Sequence, residues 1–187
     1  MPEVFSGANV ERLAHTRLAD CYQCGKCTAG CPRGDVMDNP PARLMRLSQI
    51  GAVEEAARSE SIWQCVSCLT CSTRCPKQVN VSGVVDALRQ ISAEEGITAK
   101  RFAEVVIFQK EFLKNIRRNG RTNELELVVM YKLNGFLQNF NPFWAVSDAM
   151  LGPGMLVRNK LHLKLGSPVK DKALVQRIFE KCEVKTK

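Results

Sequence analysis

The chain has 187 residues, 45% hydrophobic and 25% charged, which fits a folded protein of one or two small domains and excludes an intrinsically disordered chain. No apolar run approaches the roughly 18 residues of a membrane-spanning helix, and the N-terminal residues lack the order of a signal peptide, so we expect a cytoplasmic protein with no membrane span. The net charge of +8 lies in the second half, because residues 1–99 carry 10 Lys/Arg and 11 Asp/Glu whereas residues 100–187 carry 17 and 8. No nucleic-acid-binding motif accompanies this charge, which argues against nucleic acid and makes the basic half a candidate for docking on another protein.

The first predicted element is a helix that leads into a run of cysteines. Its apolar residues recur at the spacing of one helix face from about Asn9 to Asp20. The run that follows, CYQCGKCTAGCP, places four cysteines at gaps of two, two and three residues and closes with Pro32. The apolar face of the helix comprises Val10, Leu13, Ala14 and Leu18.

A helical insert of 33 residues, Pro32 to Gln64, separates this run from a second one. In NPPARLMRLSQIG, Asn39 is the predicted N-cap, prolines occupy the first helical positions, and Gly51 marks the stop. The segment AVEEAARS continues with residues that favour helix. No strand pattern occurs near the cysteines, so we expect helices on both sides of each run.

The cysteine pattern recurs in CVSCLTCSTRCP, residues 65–76, again with proline after the fourth cysteine. We interpret the recurrence as the repeat of a site and not of a fold. The next segment, GVVDALRQISAEEG, is a predicted helix with Ser82 as its N-cap. Its apolar stripe comprises Val84, Val85, Leu88 and Ile91.

The second half is also predicted to be helical. Thr98 is the expected N-cap of a helix that ends at Gly120, and Ser167 with Pro168 is the expected start of the last helix. The break GPG follows a short predicted helix. The four predicted helices span about 98–120, 124–138, 142–151 and 169–184. The apolar residues of the first of them fall at mostly helical spacing: Phe102, Val105, Val106, Phe112, Leu113 and Ile116.

The two cysteine runs are typical of iron–sulfur ligation. Nine cysteines in a chain expected to be cytoplasmic favour metal binding over disulfides, because thiols stay reduced there. A Cys-x2-Cys-x2-Cys-x3-Cys-Pro run ligates [4Fe-4S] clusters, and in two-cluster proteins the fourth cysteine belongs to the other cluster. The spacing therefore predicts two [4Fe-4S] clusters with crossed ligation. One is assigned to Cys21, Cys24, Cys27 and Cys75, and the other to Cys65, Cys68, Cys71 and Cys31.

Zinc is the alternative metal for such thiolates. Zinc sites usually combine paired Cys-x2-Cys units across a longer loop, whereas three closely spaced cysteines followed by Cys-Pro fit the iron–sulfur pattern. If cysteine holds every iron of a cube, no coordination position remains for a reactant. We therefore expect an electron relay without catalytic residues.

Several residues beside the cysteines have both a functional and an ordinary interpretation. Gly25 and Gly30 either let backbone N–H groups approach cluster sulfide, which raises the potential, or serve as turn glycines. For Tyr22 and Trp63 we favour packing, with shielding of the clusters as a by-product. The lone Cys182 is not expected to be a ligand. Four basic side chains either offset the negative charge of the clusters or are solvated: Lys26, Arg33, Arg74 and Lys77.

The segments CYQCGKCTAGCP, NPPARLMRL and WQCVSCLTCSTRCP together resemble the C subunits of the heterodisulfide reductases of methanogenic archaea. The motifs cover about residues 10–95, and length and helical character extend the resemblance to the whole chain. The resemblance implies a non-catalytic relay subunit of a hetero-oligomer. Electrons pass from the flavin- and cluster-bearing A subunits, supplied by a hydrogenase or formate dehydrogenase, to the B subunits, which reduce the coenzyme M–coenzyme B heterodisulfide in methanogenesis.

Other interpretations of the cysteine runs stay open. The runs are similar to those of glycolate oxidase-like, anaerobic glycerol-3-phosphate dehydrogenase-like and succinate dehydrogenase-like iron–sulfur subunits, although the plant-type cluster run of the last is missing. A free ferredoxin-like electron carrier is a further alternative, and a zinc-stabilised nucleic-acid binder is a third. No Cys-Cys pair occurs, although such pairs hold the catalytic clusters of fused relatives. The reducing centre is therefore expected on another chain.

The predicted architecture is all-α. We expect a helical ferredoxin-like domain with two clusters at residues 1–97 and a basic helical extension for subunit docking at residues 98–187.

Overall fold

The regular secondary structure of the described residues is entirely helical. Its helices are α-helices and short 3-10 turns, and no strand occurs among the described residues, so the all-α prediction is confirmed. None of the helices in these ranges combines the length and apolar character needed to cross a lipid bilayer. The computed structural model describes residues 4–98, 100–139, 158, 169 and 171–185.

The chain divides into two compact units, Met1–Ala103 and Glu104–Lys187. In the first unit, α1 and α7 make the most extensive helix pair, and α3 and α4 also pack on α7. The helices of this unit are α1 (Gly7–Ala14), α2 (Lys26–Ala29), α3 (Pro41–Gln49), α4 (Val53–Arg58), α5 (Ser61–Gln64), α6 (Thr70–Thr73) and α7 (Val81–Glu94). Its core is built around the fully buried side chains Val10, Leu44, Met45, Val53, Ile62, Val84, Leu88 and Ile91.

Helix α1 is shorter than predicted. It begins after Ser6, whose hydroxyl accepts a hydrogen bond from the backbone N–H of Asn9 at 3.1 Å, and it ends at His15, which is left-handed with a φ of 49°. The 3-10 turn Leu18–Asp20 replaces the predicted final helical turn. The predicted apolar face is nevertheless correct, because it packs inward on both sides of the break.

Helix α3 starts at Pro41, with Pro40 as its N-cap, so the prediction of Asn39 as the N-cap is wrong. Asn39 instead contacts the start of α5. Its backbone N–H donates to the Ser61 hydroxyl at 2.8 Å, and its side chain donates to the Ser59 hydroxyl at 3.1 Å. A tertiary contact thus replaces the local cap.

Helix α7 is capped by Asn80, and the prediction of Ser82 as the cap is wrong by two residues. The Asn80 side-chain oxygen accepts from the backbone N–H of Gly83 at 3.0 Å, while its amide nitrogen donates to the carbonyl of Ala14 at 3.0 Å. One side chain therefore ends α1 and begins α7. The predicted stripe of α7 is buried as expected.

The repeat of the cysteine runs extends into the helices that follow them. Thr28 and Ser72 both come directly after the third cysteine of a run. The hydroxyl of Thr28 accepts from the backbone N–H of Ala42 at 2.9 Å, and the hydroxyl of Ser72 accepts from that of Ser82 at 2.9 Å. Thr28 thus caps the second N–H of α3, and Ser72 caps the second N–H of α7. The interpretation that only the site repeats is therefore corrected, since the capped helix repeats with it.

The second unit contains three described α-helices: α8 (Ala103–Asn119, whose first residue belongs to the first unit), α9 (Glu124–Asn139) and α10 (Lys172–Lys185). Thr98 does not cap α8, because the 3-10 turn Lys100–Phe102 intervenes. Gly120, with a φ of 77°, follows the end of α8 as predicted. The predicted helix at 142–151, the break GPG and the predicted start at residues 167 and 168 lie outside the described residues.

The apolar residues of α8 that recur at helical spacing are not all buried. Val106 is buried and Phe112 and Ile116 are half-buried, but Val105 and Leu113 are exposed. Ile107 and two polar residues, Glu111 and Asn115, are also buried. The side-chain oxygen of Asn115 accepts from the backbone N–H of Asn123 at 2.6 Å, just before α9. Apolar periodicity therefore predicted this helix, but it did not indicate that Glu111 and Asn115 are buried.

Candidate metal centre

The structure brings Cys31 to the second cysteine run. The Cys31 thiol lines one cavity with the three leading cysteines of that run, Cys65, Cys68 and Cys71. The rest of the wall is mainly apolar and includes Met37, Leu44, Leu69 and Val85. Four thiols on an apolar wall form a donor set suited to an iron–sulfur cluster, because thiolate is the ligand such clusters require.

The first run has a reciprocal relation with Cys75. A hydrogen bond between the Tyr22 hydroxyl and Cys24 raises the pKa of Tyr22, and the charges of Cys75 and Cys21 raise this pKa further. Cys75 thus lies within electrostatic reach of the first run, although it is 44 positions beyond Cys31 in the chain. Cys75 is thus close enough to Tyr22, next to the first cysteine of that run, for its charge to act on this residue.

The third cysteine of each run faces the interior. Burial raises the pKa of Cys27, and the charges of Cys21 and Cys24 add to this effect. Burial likewise raises the pKa of Cys71, which also senses the charge of Cys27. The two runs therefore approach each other through their third cysteines, as short α2 and α6 are in contact.

The loops between the cysteines adopt the same unusual backbone in both runs. Gln23 and Ser67, two residues after the first cysteine, have φ values of 62° and 51°. Gly25 and Leu69, directly after the second cysteine, have φ values of 78° and 61°. This left-handed region is unfavourable for every residue except glycine, by roughly 1–2 kcal/mol. Repeated left-handed residues curl each loop, as a chain wrapped around a compact group must curl.

One side chain from a following helix secures each loop. In the first repeat, the amide nitrogen of Gln49 on α3 donates to the carbonyls of Leu18 at 2.8 Å and Cys21 at 2.7 Å. Its amide oxygen accepts from the Gln23 side chain at 3.0 Å. The loop that carries Cys21 is therefore fixed by a residue 28 positions further along the chain.

In the second repeat, Arg89 on α7 secures the loop in the same way. Its guanidinium donates to the carbonyls of Ile62 and Cys65, and to the Ser67 hydroxyl at 3.0 Å. It also pairs with Asp86 at 3.0 Å. Sequence reasoning missed both residues, because neither belongs to a motif.

Asp38 is a third residue that sequence reasoning missed, and it fixes the start of α5 through hydrogen bonds. Its carboxylate accepts hydrogen bonds from the backbone N–H groups of Ser61, at 2.8 Å, and Glu60, at 3.2 Å, and from the hydroxyls of Ser59 and Ser61. Burial by itself raises the pKa of Asp38, but the bonds from Ser61 and Ser59 outweigh it and hold the pKa below its ordinary value. The ionised form therefore ties the helical insert to α5, which leads into the second run.

Several hydrogen bonds reach the sulfur atoms themselves. The backbone N–H of Val79 donates to the Cys75 sulfur at 3.3 Å. The Cys68 thiol donates to the Thr70 hydroxyl at 3.3 Å. Hydrogen bonding with the Thr70 hydroxyl and backbone N–H lowers the pKa of Cys68 and so favours the thiolate, which is the form that binds iron.

The residues that flank the cysteines divide into exposed and packed groups. Tyr22 is 59% exposed, so the packing interpretation is wrong for this residue, whereas Trp63 packs against the core as expected. At Gly30, an added Cβ would lie 2.7 Å from the Arg74 side chain, so glycine here makes room for that side chain. Gly25 has open space around it and is required only by its positive φ.

The spacing of the thiols also bears on zinc. Within the described ranges, no three His, Cys, Asp or Glu side chains converge closely enough to hold a single metal ion. A zinc ion needs four ligands around one point, with Zn–S distances of about 2.3 Å. An iron–sulfur cube takes one thiolate at each of four irons, so its ligands stand further apart. The donor set and the curled loops fit a cube.

The central part of the chain matches a known iron–sulfur family. Residues 20–80 match the family described as a 4Fe-4S dicluster domain. This range contains both cysteine runs, the helical insert and the N-cap of α7.

The chain is also similar to subunits of archaeal enzymes. It is 40% identical over 88 residues to the iron–sulfur C subunit of the CoB–CoM heterodisulfide reductase of Methanopyrus kandleri, over 47% of this chain and 46% of that protein. It is 36% identical over 83 residues to the C2 subunit of the H2/formate:CoB–CoM heterodisulfide, ferredoxin reductase of Methanococcus maripaludis, over 44% and 45%. With the C subunit of the H2:CoB–CoM heterodisulfide, ferredoxin reductase of Methanothermobacter thermautotrophicus it shares 30% identity over 112 residues, 60% of each chain. The chain thus spans about half the length of the curated relatives it matches.

The helical fold, the paired cysteine runs and the family match support an iron–sulfur electron-transfer role. The predicted resemblance to the C subunits of heterodisulfide reductases is confirmed, since several of these subunits are its relatives. The names of those relatives make them parts of an oxidoreductase with several subunits.

Proposed function

We propose that the chain is the non-catalytic relay component of a heterodisulfide reductase and passes electrons through two [4Fe-4S] clusters. In this proposal electrons arrive from a flavin- and cluster-bearing A subunit. They leave for a catalytic B subunit, which reduces the coenzyme M–coenzyme B heterodisulfide. A hydrogenase or formate dehydrogenase supplies the A subunit, and the complex works in the cytoplasm. The paired cysteine runs, in a chain related to such subunits, carry the proposal.

The proposed ligation is crossed, and the main support is the cavity that Cys31 shares with Cys65, Cys68 and Cys71. This set would hold one cluster. The complementary set, Cys21, Cys24, Cys27 and Cys75, would hold the other, and the electrostatic reach of Cys75 to the first run supports it.

A [4Fe-4S] cluster supplies one-electron transfer when it is bound. The chain contributes the thiolates, the curled loops that place them, and the side chains that fix the loops. Buried Cys27 and half-buried Cys71 keep water away from one side of each site, while exposed Cys24 and Cys68 leave the opposite side open. Exposure at these two cysteines gives a partner close access to each cluster.

We further propose that residues 98–187 form the docking extension and residues 1–97 the relay domain. The basic charge of the extension suits an acidic partner surface. Its described helices also expose apolar side chains that a partner could cover, among them Phe108, Leu113, Val128, Val129, Leu133 and Ile178.

Anaerobic purification from the native source tests the proposal as a whole. We expect about eight irons and eight acid-labile sulfides per chain, at four of each per cluster. We also expect larger flavin- and cluster-bearing chains to copurify. A monomer that exchanges electrons rapidly with several unrelated enzymes would instead identify a free carrier.

A pair of cysteine variants tests the crossed ligation. Cys31→Ser should alter the spectroscopic signal of the same cluster as Cys68→Ser, because both cysteines are assigned to one cluster. Cys75→Ser should alter the signal of the same cluster as Cys24→Ser. Cys182→Ser is the matched control, with both clusters intact. If Cys31→Ser instead alters the signal sensitive to Cys24→Ser, each run is self-contained.

A further inference from the structure

The two loop-securing side chains occupy equivalent positions but differ in charge. The backbone N–H groups of Ala42 and Ser82 are each capped by a hydroxyl. Gln49 lies seven residues after Ala42, and Arg89 lies seven residues after Ser82. Each binds the carbonyl three residues before the first cysteine, the carbonyl of that cysteine, and the side chain two residues after it. The same frame therefore holds a neutral amide at one site and a cation at the other.

The charge of Arg89 is poorly screened. Its side chain is only 20% exposed, whereas that of its partner Asp86 is 59% exposed. Solvent therefore screens the charge of the carboxylate more than the charge of the guanidinium. The other basic residues beside the ligands, Lys26, Arg33, Arg74 and Lys77, are all exposed. Arg89 is therefore the most buried cation of this group.

A cation beside a cluster changes the energy of electron uptake. A cluster gains one negative charge when it is reduced, and a nearby positive charge stabilises that form, more strongly in a poorly solvated place. Gln49 provides the same hydrogen bonds to the loop without this charge. The difference therefore acts on one site and not on the other.

We propose that Arg89 is a positioning residue that also raises the reduction potential of the cluster held by Cys65, Cys68, Cys71 and Cys31. The first cluster, secured by Gln49, lacks this contribution. Arg89 thus biases the electron towards the second site. The inference rests on the proposed binding of two clusters and adds a direction to the relay within the chain.

The test uses the full holoprotein and a redox titration followed by electron paramagnetic resonance. Arg89→Gln copies the neutral side chain of the first repeat, so the loop keeps a partner while the charge is lost. We expect the potential of the second cluster to fall and that of the first to stay in place. Arg89→Lys, which keeps the charge, should restore most of the difference. The signal altered in Cys68→Ser identifies the second cluster.

The reciprocal variant makes the test independent of folding of the second loop. Gln49→Arg should raise the potential of the first cluster alone. If Arg89→Gln fails to assemble its cluster, this variant decides the matter. Unmoved potentials in fully loaded Arg89→Gln or Gln49→Arg protein, or equal shifts of both clusters, would overturn the inference. Fewer than two clusters in the unsubstituted protein would instead contradict the proposed function.

Discussion

The two compact units of the chain bury different kinds of residue. In the first unit, apolar side chains such as Leu88 and Val84 are completely buried, and small hydroxyls are its buried polar groups. In the second unit, α8 buries Glu111 and Asn115 while Leu113 stays 53% exposed. The described residues of the first unit therefore enclose a continuous apolar core, whereas the described part of α8 buries polar side chains beside its apolar ones.

The units also differ in backbone strain. In the ranges that the structure describes, every non-glycine residue with a positive φ belongs to the first unit, and Gln23, Ser67 and Leu69 lie inside the cysteine runs. Such residues cost about 1–3 kcal/mol each and persist where their surroundings over-determine the backbone. Strain is thus concentrated where the ligand loops must curl.

Removal of the clusters should give the largest difference between the two units. The unfolded chain lacks a preformed site, so bound metal stabilises the folded state, by on the order of 10 kcal/mol for structural metal sites. After anaerobic iron chelation, amide hydrogen exchange should accelerate in Thr70–Thr73 and Val81–Glu94 but not in Glu124–Asn139. Equal acceleration in both units would contradict the distinction between them.

Truncation of a core leucine should have the next largest effect. Leu88→Ala removes a fully buried side chain and should lower the free energy of unfolding by about 2–5 kcal/mol. The matched variant Leu113→Ala, on an exposed position of α8, should change it by no more than about 0.5 kcal/mol. Denaturant unfolding of the two holoproteins measures the difference. Similar losses would mean that α8 also has an apolar core.

Neutralisation of Asp38 should have a moderate effect that is confined to the first unit. Asp38→Asn loses charge-assisted hydrogen bonds and should lower the free energy of unfolding by about 1–3 kcal/mol. Because folding lowers the pKa of Asp38, its contribution is complete above the unfolded value and is lost only as the pH falls through the lower folded value. The difference between the variants should therefore be the same at pH 8 and pH 5.5.

The control for this variant is Asp35→Asn, which makes the same charge change on an exposed residue of the same insert. It should leave the free energy of unfolding nearly unchanged. A difference between Asp38→Asn and the unsubstituted protein that already varies between pH 8 and pH 5.5 would rule out a lowered pKa.

Relief of loop strain should have the smallest effect. Leu69→Gly places at the second run the residue that the first run has at Gly25, and should stabilise the holoprotein by up to about 1 kcal/mol. Gly25→Ala should cost about 1 kcal/mol, because alanine is strained at a φ of 78°. Thermal unfolding of the two variants should therefore shift in opposite directions. A destabilised Leu69→Gly protein would show that the leucine side chain matters more than its backbone.

Local patterns predicted the helices well but misplaced their caps. The stripe on α7 was predicted correctly because it depends only on residues three or four positions apart. Ser82 and Asn39 both have capping side chains, but Asn80 also reaches Ala14 and Asn39 reaches Ser59, so contacts with distant residues decided the outcome. Cap prediction fails where several suitable residues compete.

The extended repeat escaped prediction for a similar reason. Ten residues separate Cys31 from Ala42, but only six separate Cys75 from Ser82. This difference in spacing hides the equivalence of Gln49 and Arg89, which differ in chemistry as well. The equivalence becomes visible only through the carbonyls that the two side chains share.

Residue type and short-range spacing were enough to predict the helical character, the thiolate chemistry and the assignment of Cys31 to the second run. The burial of Glu111 and Asn115 on α8 could be seen only in the folded chain. The tertiary structure also placed Arg89 and Gln49 on the ligand loops. Each of these outcomes joins residues far apart in the chain, or chooses one face of a helix among several, and such choices depend on packing that no local pattern encodes.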